Sequence, residues 1–325
     1  MVHITDYEKQ YMAILENIYY NGYSDGVNER TGIATKRLPG MVIRVDVEKE
    51  FPILKSKFVA GKTSLREILW IWQQQSNNVH DLKGKIWDQW ADENGFIGKA
   101  YGYQIAKGMD FYLDTLHKDP KTLRHYNSQA NFVLEYLREV PNGRQCVVTL
   151  WDRDELSQMN LVPCCHTTTW NLDGGRLNCV LDQRSGDMPY GVPFNTTQYA
   201  ELMILFARDL GVKPGILTHV IADAHIYDNQ MKGVELQLKY YNLMKSIEHE
   251  SAASIQMKAH NIFTKYDTSF NSSANIIDAA KEAVKCNPTL HINSEETDFF
   301  KINGDDISVA DYVNMGKVDF GDVAV

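Results

Sequence analysis

The chain is short of most features that mark a specialised class. It has only five cysteines in 325 residues, at 146, 164, 165, 179 and 286, too few and too scattered for the disulfide framework of a small secreted fold. No apolar run approaches the ~20 residues that a bilayer-spanning helix needs. The opening "MVHITDYEKQY" has no basic start followed by an apolar stretch, so it does not read as a secretory leader. These shortages favour a cytoplasmic protein with reduced thiols. Positive charge is scarce too: 33 Lys and Arg against 42 Asp and Glu give a net charge of −9. A broad nucleic-acid surface needs a basic face, so nucleic acid is not an expected partner. A small phosphorylated ligand stays open, because two or three well-placed arginines suffice to hold one.

What is present is ordinary for a globular protein with a substantial core: 44% hydrophobic and 23% charged residues. "TDYEKQYMAILENIYYNG" places Thr5 three residues before Glu8, a capping-box pattern, and then repeats apolar residues at helical spacing up to Gly22. "GMVIRVDVEKEFP" alternates Met41, Ile43, Val45 and Val47 as a half-buried strand. "SLREILWIWQQQ" reads as a buried helix with one acid, Glu67. "QCVVTLW" and "RLNCVLDQRSGDM" read as strands, and "NTTQYAELMILFARDLG" as a helix with Asn195 at or near its N-cap. There are no internal repeats and no linker, so one mixed α/β (α+β) domain over 1–325 is expected. Two polar stretches, near 106–130 and 246–287, read as surface insertions on it.

Two local motifs mislead. "AGKTS" at 60–64 ends like a phosphate-binding P-loop, but that motif needs a glycine at position 56, which is Ser56. The adjacent Cys164 and Cys165 in "NLVPCCHTTTW" suggest a metal site or a redox pair. No second CxxC exists to complete a metal site, and adjacent cysteines bridge only through a strained geometry. Cys146 and Cys179 sit in strand-like runs and fit core positions. The cysteine after Pro163 differs, because it stands where a strand begins, beside polar residues. A reactive thiol needs a positive neighbour, and "QRSGDM" offers Arg184.

Four stretches taken together, "LREILWIW…IWDQWADENGFIGKAYGYQ", "LVPCC", "DQRSGDMPYGVPFN" and "ADAHIYDNQ", resemble the thymidylate synthase family in order and spacing. The resemblance covers most of the chain, from Arg30 in "ERTG" to the terminal "VAV". It implies a large mixed β-sheet packed by helices and a homodimer formed through the sheet face, with both subunits building each site. It also implies dUMP as substrate and 5,10-methylenetetrahydrofolate as co-substrate, with no metal. Covalent catalysis explains the cysteine: C5 of uracil is a poor nucleophile until a thiolate adds at C6. By the resemblance Cys164 is that thiolate, and Cys165 falls where many relatives carry histidine.

The other roles follow residue by residue. Arg184 would bind the phosphate and hold Cys164 ionised, with Ser185 and Arg30 beside it. Arg144 and Gln145 match an arginine pair that reaches the phosphate from the other subunit, so one charge is missing; Arg144 alone reads equally well as a solvated surface residue. Asn195 would match uracil through its amide, although a plain N-cap explains it as well. His225 and Tyr227 would hold the ribose 3′-hydroxyl, or form a core pair. Glu67 would relay protons, since a lone buried carboxyl is costly without work or partners. Tyr101 would stand near the nucleophile, Asp187 would bind the pterin, and Trp87 and Trp90 would wall the folate. Lys57 would lie near the folate glutamate tail, and Val325 would help close the site.

Departures cluster on the folate side. Thr169 replaces a usual glutamine, Pro189 and Tyr190 stand where apolar residues are usual, and the Pro-His pair normally near the C-terminus is absent. They raise an alternative outcome, in which water attacks the exocyclic methylene to give hydroxymethyl-dUMP and tetrahydrofolate. Water exclusion separates the two outcomes. Trp87 and the terminal "VAV" favour the synthase, whereas Tyr190 and the Thr-rich segment are the features that would admit or position a water. A third reading, a catalytically retired nucleotide- or RNA-binding paralogue, is opposed by the acidic balance and by the retained Cys164, Glu67, Arg184 and Asn195.

Overall fold

The structure is a computed structural model that describes residues 4–27, 29 and 31–323; the side chain of Asp25 is excluded. Thr5 starts the first helix, α1 (Asp6–Asn21), by accepting from the Glu8 N–H at 3.1 Å. The reciprocal half of the capping box is replaced by a long-range contact. Glu8 is fully buried, and its carboxylate accepts from the backbone N–H groups of Lys55 and Ser56 at 2.6 and 3.0 Å. Strand β1 (Tyr23–Val27) follows, then β2 (Ala34–Asp46), in which Ile43 and Val45 face the core as the alternation requires. Helix α2 (Gly61–Trp72) begins inside the P-loop-like segment, with Gly61 and Ser64 buried in its first turns.

The short α3 (Gly102–Ile105) leads to a hairpin of β3 (Met109–Tyr112) and β4 (Leu123–Tyr126), and then to α4 (Gln129–Glu139). The 106–130 segment is thus a small hairpin of its own. β5 covers only Val147–Thr149, shorter than its apolar run suggests. β6 (Cys165–Asp173), β7 (Arg176–Gln183) and β8 (Gly186–Asp187) come next, followed by α5 (Gly191–Leu210) and the long β9 (Lys213–Tyr227). The principal sheet runs β1-β2-β9-β7-β6-β5, with β8 also pairing β9. All its pairs are antiparallel except β7–β9 and β8–β9. Helices α1 and α5 pack on one face of this sheet, with α2 packed on α5, and they enclose the main core, which includes Trp70, Trp72, Trp170 and Phe206.

The 246–287 segment carries α7 (Ala252–Lys265) and α8 (Ser273–Ala283). These pack on α6 (Met231–Ser246) around a separate cluster that includes Tyr240, Leu243, Ile262 and Ile276. A final hairpin, β10 (Thr289–Ile292) with β11 (Ile307–Ala310), precedes the C-terminal stretch. No helix of the described residues is long and apolar enough to cross a membrane.

One element boundary corrects the sequence reading. α5 starts at Gly191, four residues before Asn195, and no side chain caps it. Asn195 is therefore not an N-cap. Pro193 permits this early start, because a proline in the first turn lacks only an N–H that would find no partner within the helix.

Gly102 shows how closely the parts are fitted. A Cβ there would come within 1.9 Å of the Ser76 carbonyl oxygen, a backbone atom. Gly102→Ala is expected to destabilise the fold by about 3 kcal/mol, the upper range for overpacking. Urea unfolding checks this, and a wild-type midpoint would contradict it.

Candidate active site

The C-terminal ends of β7, β8 and β9, the start of β6 and the first turns of α5 meet at one edge of the sheet. α2 and the loop carrying Trp87 and Trp90 close the other side. Between them lies a cleft of about 370 Å³ lined by Glu67, Trp87, Trp90, Tyr101, Cys164, Cys165, Ser185, Asp187, Tyr190, Asn195, His225 and Tyr227, among others. Most of the residues singled out in the sequence are thus brought together. They come from parts of the chain as distant as 67 and 227.

Cys164 is half-buried, at the turn that enters β6. Its backbone N–H donates to the Tyr101 hydroxyl at 3.2 Å. The turn is braced by Arg184, which reaches three successive carbonyls. Its backbone N–H donates to Cys164 O at 2.9 Å, Nε to Pro163 O at 3.1 Å and a terminal guanidinium nitrogen to Val162 O at 2.8 Å. The guanidinium also lies 5.9 Å from the Trp151 ring, a cation–π distance. Arg184 is not among the cleft-lining residues; its side chain serves the turn that presents the thiol.

Cys165 is buried, and its thiol donates to Gln183 Oε1 at 3.4 Å. Burial raises its pKa well above the ordinary thiol value, which keeps it protonated and unreactive. The two neighbours therefore have different chemistry. Gln183 is held in turn by His219, whose Nε2 lies 2.7 Å from its Oε1 and whose Nδ1 lies 3.0 Å from the Thr196 hydroxyl. Burial depresses His219 to about 3, so this histidine is neutral.

Burial also raises the Glu67 carboxyl to about 7, against hydrogen bonds from Trp87 and Gln198 that favour its ionised form. A carboxyl poised there accepts and releases protons near neutrality. Trp87 is the centre of an aromatic wall, with ring centroids 4.9 Å from Tyr101, 5.2 Å from Trp90 and 5.8 Å from Trp70. Tyr101 has φ 44°, a region that a bulky residue seldom occupies. Such strain persists only where surrounding contacts impose it, and it concentrates at functional positions. Burial keeps the Tyr101 hydroxyl protonated by raising its pKa.

On the opposite wall Asp187 accepts from Gln230 Nε2 at 2.9 Å and from the Tyr190 N–H at 3.1 Å. Its pKa is raised by burial, with the Gln230 bond opposing. His225 and Tyr227 are buried and meet edge to face at 5.0 Å. The Tyr190 hydroxyl donates to Gly321 O at 2.7 Å, and its ring stacks edge-on against Phe320. Tyr190 thus fastens the C-terminal stretch over the cleft, which Val323 reaches.

Several expected residues stand elsewhere. Lys57 is buried beneath the rim and outside the cleft lining; its ammonium donates to Pro189 O and faces the rings of Phe320 and Tyr190. Burial lowers its pKa to about 8. Arg144 and Gln145 are exposed just before β5, away from this cleft. Thr169 lies on β6 beside Val147 and Val180 and does not line the cleft, so it is not placed to admit a water there. Arg30 and Val325 lie outside the described residues. Among the described residues no group of three or more His, Cys, Asp or Glu is placed to hold a metal ion. The sequence reading missed Trp151, Gln183, Gln230 and Gln198. Gln183 and Gln230 lie inside the motifs "DQRSGDM" and "ADAHIYDNQ", and Gln198 stands at helical i,i+3 spacing from Asn195.

The raised Glu67 pKa couples the site to stability. Between the ordinary value of 4.5 and about 7, the folded chain keeps a proton that the unfolded chain has released. Stability therefore falls as pH rises through that window. Glu67→Gln removes the effect, so the variant should gain on the wild type, slightly at pH 5 and by about 3 kcal/mol at pH 8. Urea unfolding at both pH values measures it, and a pH-independent difference would contradict the assignment.

The sequence profile described as Thymidylate synthase matches residues 9–268. The chain is 38% identical over 309 residues to a thymidylate synthase of Clostridium beijerinckii, covering 94% of both proteins. It is 35% identical over 246 residues to thymidylate synthase 1 of Bacillus subtilis, covering 73% of this chain and 85% of that one. The solved structure of thermostable thymidylate synthase A from Bacillus subtilis superposes with a TM-score of 0.71 at 31% identity, covering 98% and 99% of the two chains. The chain belongs to the thymidylate synthase family.

Proposed function

We propose that this chain converts dUMP to dTMP, taking both the one-carbon unit and the hydride from 5,10-methylenetetrahydrofolate and releasing dihydrofolate. The observation that carries this reading is the convergence of Cys164, Glu67, Tyr101 and Asn195 on one cleft, with Trp87 over it. Cys164 adds to C6 of the uracil ring, which makes C5 nucleophilic. The turn braced by Arg184 holds the thiol in place for that attack. Asn195 reads the base, His225 and Tyr227 hold the ribose, and Ser185 binds the phosphate, with Arg30 supplying positive charge. Glu67 moves protons to and from O4 and the folate nitrogen, and Tyr101 serves the C5 proton.

The cleft suits a folate: the indoles of Trp87 and Trp90 offer an apolar wall and Asp187 a hydrogen-bonding carboxyl for the pterin. When bound, the folate supplies the methylene group and then the hydride. Lys57 serves that pocket from below, by holding the Pro189 carbonyl and the ring of Phe320. Methylation is favoured over hydroxymethylation by two observations. The Tyr190 hydroxyl gives its one proton to Gly321 O, so it has no donor left with which to aim a water. The C-terminal stretch it fastens lies over the cleft, where it keeps solvent out.

The whole chain acts as one catalytic domain, with the 106–130 and 246–287 segments as additions, in the cytoplasm and as a homodimer. The outer face of the sheet is the surface for pairing. Across β6, β7, β9 and β2 it presents the rows Thr169–Val180–Thr218–Arg44 and Thr167–Asp182–Val220–Val42, a surface of mixed apolar, hydroxyl and charged side chains. Pairing there lets the exposed Arg144 and Gln145 of each chain serve the other's phosphate. With Gln145 in place of a second cation, phosphate affinity is lower by about 1–2 kcal/mol.

The test is dihydrofolate formation, followed by absorbance, with mass analysis of the nucleotide product. Methylated nucleotide with dihydrofolate is the expected result. Cys164→Ala should abolish turnover and Cys165→Ala should keep most of it. Hydroxymethylated product without dihydrofolate, or equal loss in both variants, would overturn the reading.

A further inference from the structure

An asparagine alone does not distinguish uracil from cytosine. Its amide offers one donor and one acceptor side by side, and a half-turn about the last bond exchanges them. One orientation meets the N3–H and O4 of uracil, and the other meets the N3 and amino group of cytosine. Selectivity therefore needs a second group that fixes the amide of Asn195.

Gln198 stands one turn further along α5 and is 2% exposed. On one side its amide faces the Glu67 carboxyl and the Ser64 carbonyl. The Glu67 carboxyl takes a hydrogen bond from it, and the Ser64 carbonyl oxygen lies 3.5 Å from its Nε2. The nitrogen must be turned that way, since a flipped amide would set its oxygen against the Ser64 carbonyl oxygen, which can only accept. Oε1 is then left facing Asn195, whose Nδ2 lies 3.1 Å away. An amide oxygen can be met only by a donor, so Asn195 is drawn in nitrogen first. Its Oδ1 lies on the other side, toward Gly191, which also borders the cleft. There it accepts from N3–H, while the second Nδ2 hydrogen is free for O4.

We propose that Gln198 is a positioning residue that gives this site its uracil selectivity, by locking the amide of Asn195 and tying its orientation to Glu67. This rests on the dUMP reading above. It adds that base choice is set by a chain of hydrogen bonds running from Ser64 and Glu67 through Gln198 to Asn195.

Equilibrium binding of dUMP and of dCMP to the full chain tests it, in the wild type, Gln198→Met and Gln198→Glu, with thermal midpoints recorded for each. Methionine keeps the length and removes both hydrogen bonds. The dUMP-over-dCMP preference should fall by about tenfold or more, dUMP weakening while dCMP gains. Glutamate keeps an acceptor for Nδ2, so the preference should persist while turnover drops through loss of the donor to Glu67. Equal weakening of both nucleotides in Gln198→Met would mark a merely structural role and overturn the proposal. If the methionine variant does not fold, Gln198→Glu decides, because loss of its preference overturns the proposal too. A wild type that does not prefer dUMP would instead overturn the functional reading, and this coupling with it.

Discussion

The parallel pairing of β9 with β7 and β8 is the constraint on which the site depends. Parallel neighbours cannot be joined by a tight turn and need a crossover of a dozen or more residues. Here α5 supplies it. A crossover helix starts where the first strand ends, so the first turns of α5 stand beside the C-terminal ends of β7 and β8 and of their partner β9. Arg184, Ser185 and Asp187 leave the sheet at that edge, Asn195 and Gln198 come from the helix, and His225 and Tyr227 close the far strand. Ligands of open α/β sheets bind at such an edge for the same reason.

Around that edge the molecule accepts local cost for chemical readiness. Glu67 sits among indoles with its pKa raised to about 7, which opposes folding at neutral pH and makes the carboxyl useful there. Tyr101 is held at positive φ, with its hydroxyl 3.2 Å from the Cys164 nitrogen. The surrounding packing keeps both in place. Trp87 touches Tyr101, Trp90 and Trp70, and Gly102 lets α3 lie directly on the Ser76 carbonyl. Arg184 illustrates the same economy, because one side chain satisfies two carbonyls of the turn that presents the thiol.

Much of this was legible in the sequence, and the failures have physical causes. Apolar spacing located α1, α2 and β2, and the order of the chemical motifs placed most of the cleft. The start of α5 is hidden in the sequence because "MPYG" has the composition of a turn, and a proline tolerated in a first turn lets helix begin there. The resemblance places Thr169 on the folate side, but a bulge between Cys165 and Thr167 shifts the alternation of β6. Thr168 and Trp170 then face inward in its place, a change of face that one extra residue produces and composition does not signal. Lys57 and the guanidinium of Arg184 point where carbonyls and rings from distant segments draw them, and no local pattern records such partners. Gln198 is not legible in the sequence because its role exists only once α2 packs on α5 and brings Glu67 beside it.

The central claim is that Cys164, and not its neighbour, forms a covalent bond to the pyrimidine. Incubating the full chain with 5-fluoro-dUMP and methylenetetrahydrofolate, then reading intact mass and mapping the modified peptide, tests this most directly. The account predicts one nucleotide adduct per chain, located at Cys164 and absent from Cys164→Ala. An adduct at Cys165, or no adduct in a chain that binds the nucleotide, would contradict it.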